Sequence, residues 1–240
     1  MPSRMDTITV AGKPMSVYVA TPEGKGPFPA VVVMFHRAGI DNFTKDRVDR
    51  LAAAGFAAAA PDLFHRVPGG VENPEVLSLL RDADVLEDTS AAAEHLIRTG
   101  LASPDRMAIL GHCMGGRAAF LGASSTPYFR AAVIHYCGNM FKPWGEGPSA
   151  FERLPGLKGS VIGFFGNDDK NPSPADVDRI DAELKRLGVP HEFHRYDGAG
   201  HAFQNFVRPE QLRPQAAEDS WTKGLAFLKR TIGAQSAPAK

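Results

Sequence analysis

The 240-residue sequence predicts an α/β fold with a mostly parallel central sheet and helices on both faces. Short apolar runs alternate along the chain with amphipathic helical segments. Several of the runs are apolar at every position, which is typical of strands buried on both faces of a parallel sheet. We expect one domain over residues 1–232 and a flexible tail, rich in Ala, Pro, Ser and Lys, over residues 233–240.

The first half of the chain supplies four strands and two helices. A hairpin is expected around Gly12, and the predicted strands are Thr7–Val10, Met15–Ala20, Pro29–Phe35 and Phe56–Pro61. Apolar residues at helical spacing predict helices over Thr44–Ala54 and Glu87–Thr99. Gly55 and Gly100 directly follow these segments, as helix-ending glycines do.

The second half continues the alternation. The predicted strands are Met107–Leu110, Ala131–Tyr136, Val161–Phe165 and Glu192–Tyr196, and the predicted helices are Arg117–Ala123, Ala175–Leu187 and Ser220–Ile232. The stretch Asn139–Gly159 is the longest irregular one and carries Trp144. We expect it to overhang a functional site.

Composition excludes several classes of function. The formal net charge is zero and the pI is about 7.1, which argues against nucleic acid or an anionic membrane as a partner. No apolar run approaches the roughly 18 residues of a membrane span. Only two cysteines are present, and no paired ligand motif indicates a metal site. A cytoplasmic monomer or homodimer acting on a small molecule is the resulting expectation.

The segment Gly111–Gly116 carries the strongest chemical signal. It reads Gly-His-Cys-Met-Gly-Gly and stands between a predicted strand and a predicted helix. A nucleophile between glycines at a strand-to-helix turn is the pattern of a nucleophile elbow, with Cys113 in the place usually taken by serine. The helix N-terminus would favour the thiolate of Cys113. The alternative is a buried cysteine in a glycine-rich turn.

A cysteine nucleophile needs a base and an acid that orients the base. Asp168 follows the strand Val161–Phe165, and His201 follows the strand Glu192–Tyr196. Because reactive groups gather beyond the carboxyl ends of parallel strands, we expect both beside Cys113. Asp169 is the alternative acid. An aspartate that only stabilises its turn and a solvent-exposed loop histidine are the competing interpretations.

An acyl-transfer site also needs donors for the developing oxyanion. The backbone N–H of Met114 is one candidate, because it follows the nucleophile. The other should come from the loop after the strand Pro29–Phe35, where the N–H of Arg37 is favoured and that of His36 is the alternative.

Several of these segments together resemble the dienelactone hydrolase family, over roughly residues 29–230. The matching segments are His36–Gly39, Ala58–Leu63, Gly111–Gly116, Gly166–Asp168 and Gly200–Phe203. The resemblance implies an α/β-hydrolase fold without a large cap domain and a Cys113–His201–Asp168 triad. It further implies hydrolysis of an ester or lactone through a thioester, with no cofactor. A different acyl substrate such as a thioester, and a non-catalytic or redox-sensing protein with a reactive Cys113, are the alternatives.

The sequence departs from the family pattern at two positions. His36 stands where the best-known members carry a glutamate on the oxyanion loop, and Asn205 stands where they carry an arginine that holds a substrate carboxylate. Arg66 and Arg81 both fall in the region of a second substrate arginine. We therefore expect a less acidic substrate than dienelactone, with His36, Asn205 and Trp144 as candidate activating or substrate-binding residues. A histidinium at His36 would also favour the thiolate of Cys113.

Overall fold

Eight strands form one sheet in the computed structural model, which describes residues 2–233. The strands are β1 (Ser3–Val10), β2 (Lys13–Ala20), β3 (Phe28–Met34), β4 (Ala57–Pro61), β5 (Ala102–His112), β6 (Ala131–His135), β7 (Ser160–Gly166) and β8 (His191–Tyr196). Across the sheet they lie in the order β1-β2-β4-β3-β5-β6-β7-β8. β2 is antiparallel to β1 and β4, and every other neighbouring pair is parallel. The predicted mostly parallel sheet is confirmed.

Helices cover both faces of this sheet. They are α1 (Asn42–Ala53), α2 (Val76–Leu79), α3 (Asp82–Arg98), α4 (Met114–Ser125), α5 (Pro174–Arg186) and α6 (Pro214–Thr231). The apolar residues of α3, α4 and α5 belong to one core cluster, and those of α1 and α6 belong to a second cluster. The arrangement is that of an α/β-hydrolase fold.

β4 shows why apolar runs predict this sheet. Ala57 and Ala59 belong to the core cluster on one face, and Ala58 and Ala60 belong to the cluster on the other face. Side chains alternate between the faces of a strand, so a strand covered on both sides is apolar throughout.

Two helices begin more than one helical turn earlier than the apolar periodicity indicates. α3 begins at Asp82 instead of Glu87, and α6 begins at Pro214 instead of Ser220. Proline is favoured in the first turn of a helix because no intrahelical acceptor awaits its missing N–H. Asp82 can be buried because it forms an ion pair with Arg117, which lies far away in the sequence. Neither cause leaves an apolar repeat in the sequence.

The connection from β6 to β7 contains only a short 3₁₀ turn, Leu154–Gly156. The expectation of an irregular stretch over Asn139–Gly159 is therefore confirmed. No helix within residues 2–233 has the length and apolarity needed to cross a bilayer. Of the expected tail at residues 233–240, all but Gly233 lies outside the described residues.

Candidate active site

Cys113 occupies a sharp turn between β5 and α4. Its backbone has φ 58° and ψ −123°, a conformation that costs a non-glycine residue on the order of 1–3 kcal/mol. A Cβ on Gly111 would overlap the carbonyl group of Gly115, and a Cβ on Gly115 would overlap the carbonyl oxygen of Met34. The N–H of Cys113 donates to the carbonyl of His135 at 3.1 Å. The glycines thus permit the close strand–helix packing that presents the thiol at the carboxyl edge of the sheet.

His201 contacts Asp169, the alternative acid of the sequence analysis, and not Asp168. Nδ1 of His201 lies 2.8 Å from Oδ2 of Asp169, whose Oδ1 accepts the N–H of Asn171 at 2.9 Å. Asp168 is exposed, and its N–H donates to the carbonyl of Ala199 at 3.0 Å. The two acids are adjacent in one turn, and only the path of the backbone decides which of them faces the histidine.

The charge on His201 depends on its two partners. Burial lowers the pKa of His201, but hydrogen bonds to Asp169 and Cys113, together with their charges, outweigh burial and raise it to about 10. Because Nδ1 contacts Asp169, Nε2 is the ring nitrogen left for Cys113.

Within residues 2–233, the two backbone N–H groups expected to bind the oxyanion, those of Met114 and Arg37, have no main-chain acceptor outside regular helices and strands. Met114 is the first residue of α4, so its N–H has no intrahelical acceptor. The guanidinium of Arg37 turns away and donates to the carbonyls of Val71 (3.0 Å) and Asn73 (2.9 Å). This geometry leaves both N–H groups available to a ligand oxygen.

His36 and Asn205, the two departures from the family pattern, contact each other. Both side chains are buried, and Nδ2 of Asn205 donates to Nδ1 of His36 at 3.5 Å. Nε2 of His36 lies 3.0 Å from Oδ2 of Asp41. Oδ1 of Asn205 accepts the N–H of Val207 at 3.1 Å. The pair therefore braces two loops of the site, and activation of Cys113 by His36 stays a prediction.

Tyr136 is a site residue that the sequence interpretation missed. It directly follows β6 with φ 39°, and its ring meets that of His201 edge-on at 5.3 Å between centroids. Burial, then the nearby Cys113, raise the pKa of the phenol well above its usual value, so the hydroxyl keeps its proton. The available signal was its place at the carboxyl end of a buried strand. The apolar run Ala131–Tyr136 instead placed it inside the strand.

A cleft of about 490 Å³ lies along the loop that follows β6. Arg81, Lys142 and Trp144 are among the residues that line it. Within residues 2–233, neither cation of the cleft forms an ion pair with a carboxylate. Arg66, the other arginine left open by the sequence, is instead neutralised by Glu87 at 2.8 Å and by two aspartates of α3.

Arg117, a residue of the helix that begins directly after Cys113, contacts the wall of this cleft. Its guanidinium forms a two-pronged, fully buried ion pair with Asp82, at 2.5 and 2.9 Å. It also lies 4.1 Å from the ring centroid of Trp144, and the backbone N–H of Trp144 donates to Asp82 at 3.2 Å. Further bonds run from the guanidinium to the carbonyls of Asn139 (3.1 Å) and Lys142 (2.9 Å). One buried arginine thus orders the wall that carries Trp144.

Comparisons with known proteins agree on one family. The model of the "Dienelactone hydrolase family" matches residues 15–232. A protein of Methylorubrum extorquens described as a candidate carboxymethylenebutenolidase is 33% identical over 219 residues, covering 86% of this chain and 73% of its own. A proposed 2-oxo-3-(5-oxofuran-2-ylidene)propanoate lactonase of Bradyrhizobium is 29% identical, covering 95% of this chain and 94% of its own. The crystal structure of a candidate dienelactone hydrolase from Klebsiella pneumoniae superposes with a TM-score of 0.89 at 28% identity, covering 95% of this chain and 98% of its own.

Proposed function

We propose a specific chemistry for this chain, which belongs to the dienelactone hydrolase family and is therefore an ester or lactone hydrolase. Cys113 is the nucleophile, His201 carries the proton and Asp169 orients His201. The observation that supports this assignment most strongly is the position of the His201 ring, which contacts Asp169 at 2.8 Å and lies close enough to Cys113 for the thiol to raise the pKa of the imidazole. Base, orienting acid and strained elbow converge from three separate loops.

In the first half of the reaction, the Cys113 thiolate attacks the carbonyl carbon and a C–S bond forms. The carbonyl π electrons move to the oxygen, which accepts hydrogen bonds from the N–H groups of Met114 and Arg37. When the tetrahedral intermediate collapses, the C–O bond breaks and the leaving alkoxide takes the proton from Nε2 of His201. For a lactone, the leaving hydroxyl stays attached to the same molecule.

In the second half, water hydrolyses the thioester. Nε2 of His201, now neutral, accepts a proton from the attacking water, and the C–S bond breaks to release the acid. The departing thiolate is again paired with the imidazolium. Asp169 keeps Nδ1 protonated throughout, so the same ring nitrogen serves as acid and then as base.

We place the anionic part of the substrate in the cleft whose wall contacts Arg117 of α4. Arg81 and Lys142 supply two cations, and Trp144 supplies an apolar wall. The names of the two relatives describe lactones that bear a carboxylate-containing substituent. We therefore revise the expectation drawn from Asn205 and propose a lactone or ester with a carboxylate, held by Arg81 and Lys142.

Turnover of p-nitrophenyl acetate by the wild type, the Cys113→Ala variant and the Cys137→Ala variant tests the nucleophile. Cys137 is a fully buried thiol on the neighbouring loop and serves as the matched control. We expect activity in the wild type and the control only. Equal rates in the wild type and Cys113→Ala would refute the mechanism, and would favour a protein whose thiol serves another purpose.

A panel of matched lactones with and without a carboxylate tests the substrate class. Arg81→Met should raise KM roughly 10-fold or more for the charged members and leave the neutral members unchanged. Lys185→Met, which alters an exposed lysine on α5, is the control. The same KM change for both kinds of substrate would contradict an anionic substrate without affecting the nucleophile assignment.

A further inference from the structure

We propose that a buried hydrogen bond between His112 and Gln204 positions Cys113 relative to His201. The inference rests on the proposed function, because the pair acts through those two residues. His112 directly precedes Cys113, and Gln204 lies in the turn that carries His201. Nε2 of His112 and Oε1 of Gln204 are 2.9 Å apart, and the two residues are only 1% and 2% exposed. The bond thus joins the turn that carries Cys113 to the turn that carries His201.

The direction of this bond follows from its neighbours on α6. The hydroxyl of Ser220 donates to the carbonyl of Ala217 at 3.0 Å, so its oxygen is left to accept Nε2 of Gln204 at 2.5 Å. Oε1 of Gln204 therefore faces His112, and Nε2 of His112 must carry the proton. Burial, then the neighbouring His135, lower the pKa of His112 well below its ordinary value, which keeps the ring neutral. The side chains of His112, Gln204 and Ser220 therefore form a hydrogen-bonded series from β5 to α6, in which each donates to the next.

The sheet holds the His112 end of this series rigidly. His112 is opposite His135 in the strand register, and their rings stack at 4.5 Å with planes 8° apart. The stack continues through Phe164 to His194 at matching register positions of β7 and β8. The rings of Phe43 and His112 also form an edge-to-face pair, with 4.9 Å between their centroids. A ring confined in this way has one orientation available for its Nε2–H.

The segment that carries His201 and Gln204 is a turn rather than a strand or a helix. Ala202 has φ 60°, and the main chain of the turn is tied by Asn205 N–H to Ala202 O (2.8 Å) and Arg213 N–H to Phe203 O (2.9 Å). None of these bonds reaches β5. The Gln204 side chain links this turn directly to the residue before the nucleophile. Since a misplacement of about 1 Å can cost roughly 100-fold in rate, such a link matters to catalysis.

A matched set of variants separates positioning from simple stability. Gln204→Met removes the acceptor while keeping the side-chain volume. His112→Phe keeps the stacked ring but removes the donor, and His112→Gln restores a donor without the ring. Thr89→Val removes a buried hydrogen bond to the carbonyl of Val85 (2.6 Å) on α3 and is the control.

We expect Gln204→Met and His112→Phe each to lower kcat for p-nitrophenyl acetate by roughly 10- to 100-fold, with KM within about 3-fold of the wild type. The double variant should lose no more than either single variant, because both remove one bond. His112→Gln should recover part of the kcat. Thr89→Val should lower Tm and leave kcat within about 2-fold. Alkylation of Cys113 by iodoacetamide at pH 7 should slow in Gln204→Met, since a displaced His201 stabilises the thiolate less.

A Gln204→Met enzyme whose Tm falls as that of Thr89→Val does, but whose kcat equals that of the wild type, would overturn the positioning role. If Gln204→Met does not fold, an unchanged kcat in His112→Phe overturns it equally. Absence of Cys113-dependent turnover in the wild type would instead be a failure of the proposed function. In that case the alkylation arm still decides, because equal alkylation rates in the wild type and Gln204→Met overturn the inference.

Discussion

Asp169→Asn is the most direct test of how the site is oriented. Oδ1 of Asp169 accepts the N–H of Asn171, so an asparagine would keep its amide oxygen there and turn its NH₂ group toward His201. At 2.8 Å, two N–H donors would then face each other unless His201 moves its proton to Nε2. That tautomer cannot accept a proton at Nε2, which is the atom that serves Cys113.

The size of the effect follows from these contacts. The hydrogen bond to Asp169 is the largest contribution that raises the pKa of His201, so the imidazolium also loses its main support. Loss of a positioned base costs about 10²- to 10⁴-fold, and a wrong tautomer lies at the upper end. At about 1.4 kcal/mol per tenfold, this equals roughly 3–5.5 kcal/mol of transition-state stabilisation. We expect kcat/KM for p-nitrophenyl acetate to fall by that factor.

Asp168→Asn is the matched control, one residue away. Asp168 is exposed, and within residues 2–233 its side chain has no hydrogen-bond partner, so kcat/KM should stay within about 2-fold of the wild type. Thermal unfolding of both variants verifies that they fold. Equal losses in the two variants, or a nearly intact Asp169→Asn enzyme, would refute the assignment of Asp169.

Three further outcomes are expected. His201→Ala should slow iodoacetamide alkylation of Cys113 at pH 7, because the proposed imidazolium is then missing beside the thiol; an unchanged rate would contradict the proposed pairing of His201 with Cys113. Burial, then a nearby arginine, lower the pKa of His135 to about 3, so below about pH 6.5 the unfolded state binds one more proton and stability falls by up to ~1.4 kcal/mol per pH unit. Urea unfolding should show that the unfolding free energy falls between pH 6.5 and pH 5 by about 1.6 kcal/mol less in His135→Phe than in the wild type, and an equal fall in both proteins would exclude His135 as its source. Asp82→Asn should cost about 3–5 kcal/mol of unfolding free energy by leaving a buried guanidinium unpaired, whereas Asp84→Asn, on the exposed side of α3, should cost almost nothing.

The strands were the most predictable part of this protein. β3 and β4 are covered on both faces, and such burial leaves a continuous apolar run in the sequence. The first turn of α3 was not predictable, because Asp82 is buried by Arg117 from another helix. A buried polar residue whose partner is distant in the sequence has no local pattern.

The candidate site divides in the same way. The glycines around Cys113 are visible in the sequence because the elbow leaves no room for their side chains, and the order of cysteine, acid and histidine is visible because each follows a strand. The choice of Asp169 over Asp168, and the place of Tyr136, depend on where the backbone points after a strand ends. The choice of Arg81 over Arg66 depends on which arginine finds carboxylates nearby.

The sequence by itself determined the class of fold and the glycine-flanked turn that carries Cys113, because both depend on local spacing, and its motifs taken together resemble one family. Only the tertiary structure decided which acid meets His201, which cations face the cleft, and that His112 meets Gln204. Those are contacts between segments far apart in the chain, and the physical reason is that side-chain direction at the carboxyl edge is set by the packing of the whole sheet.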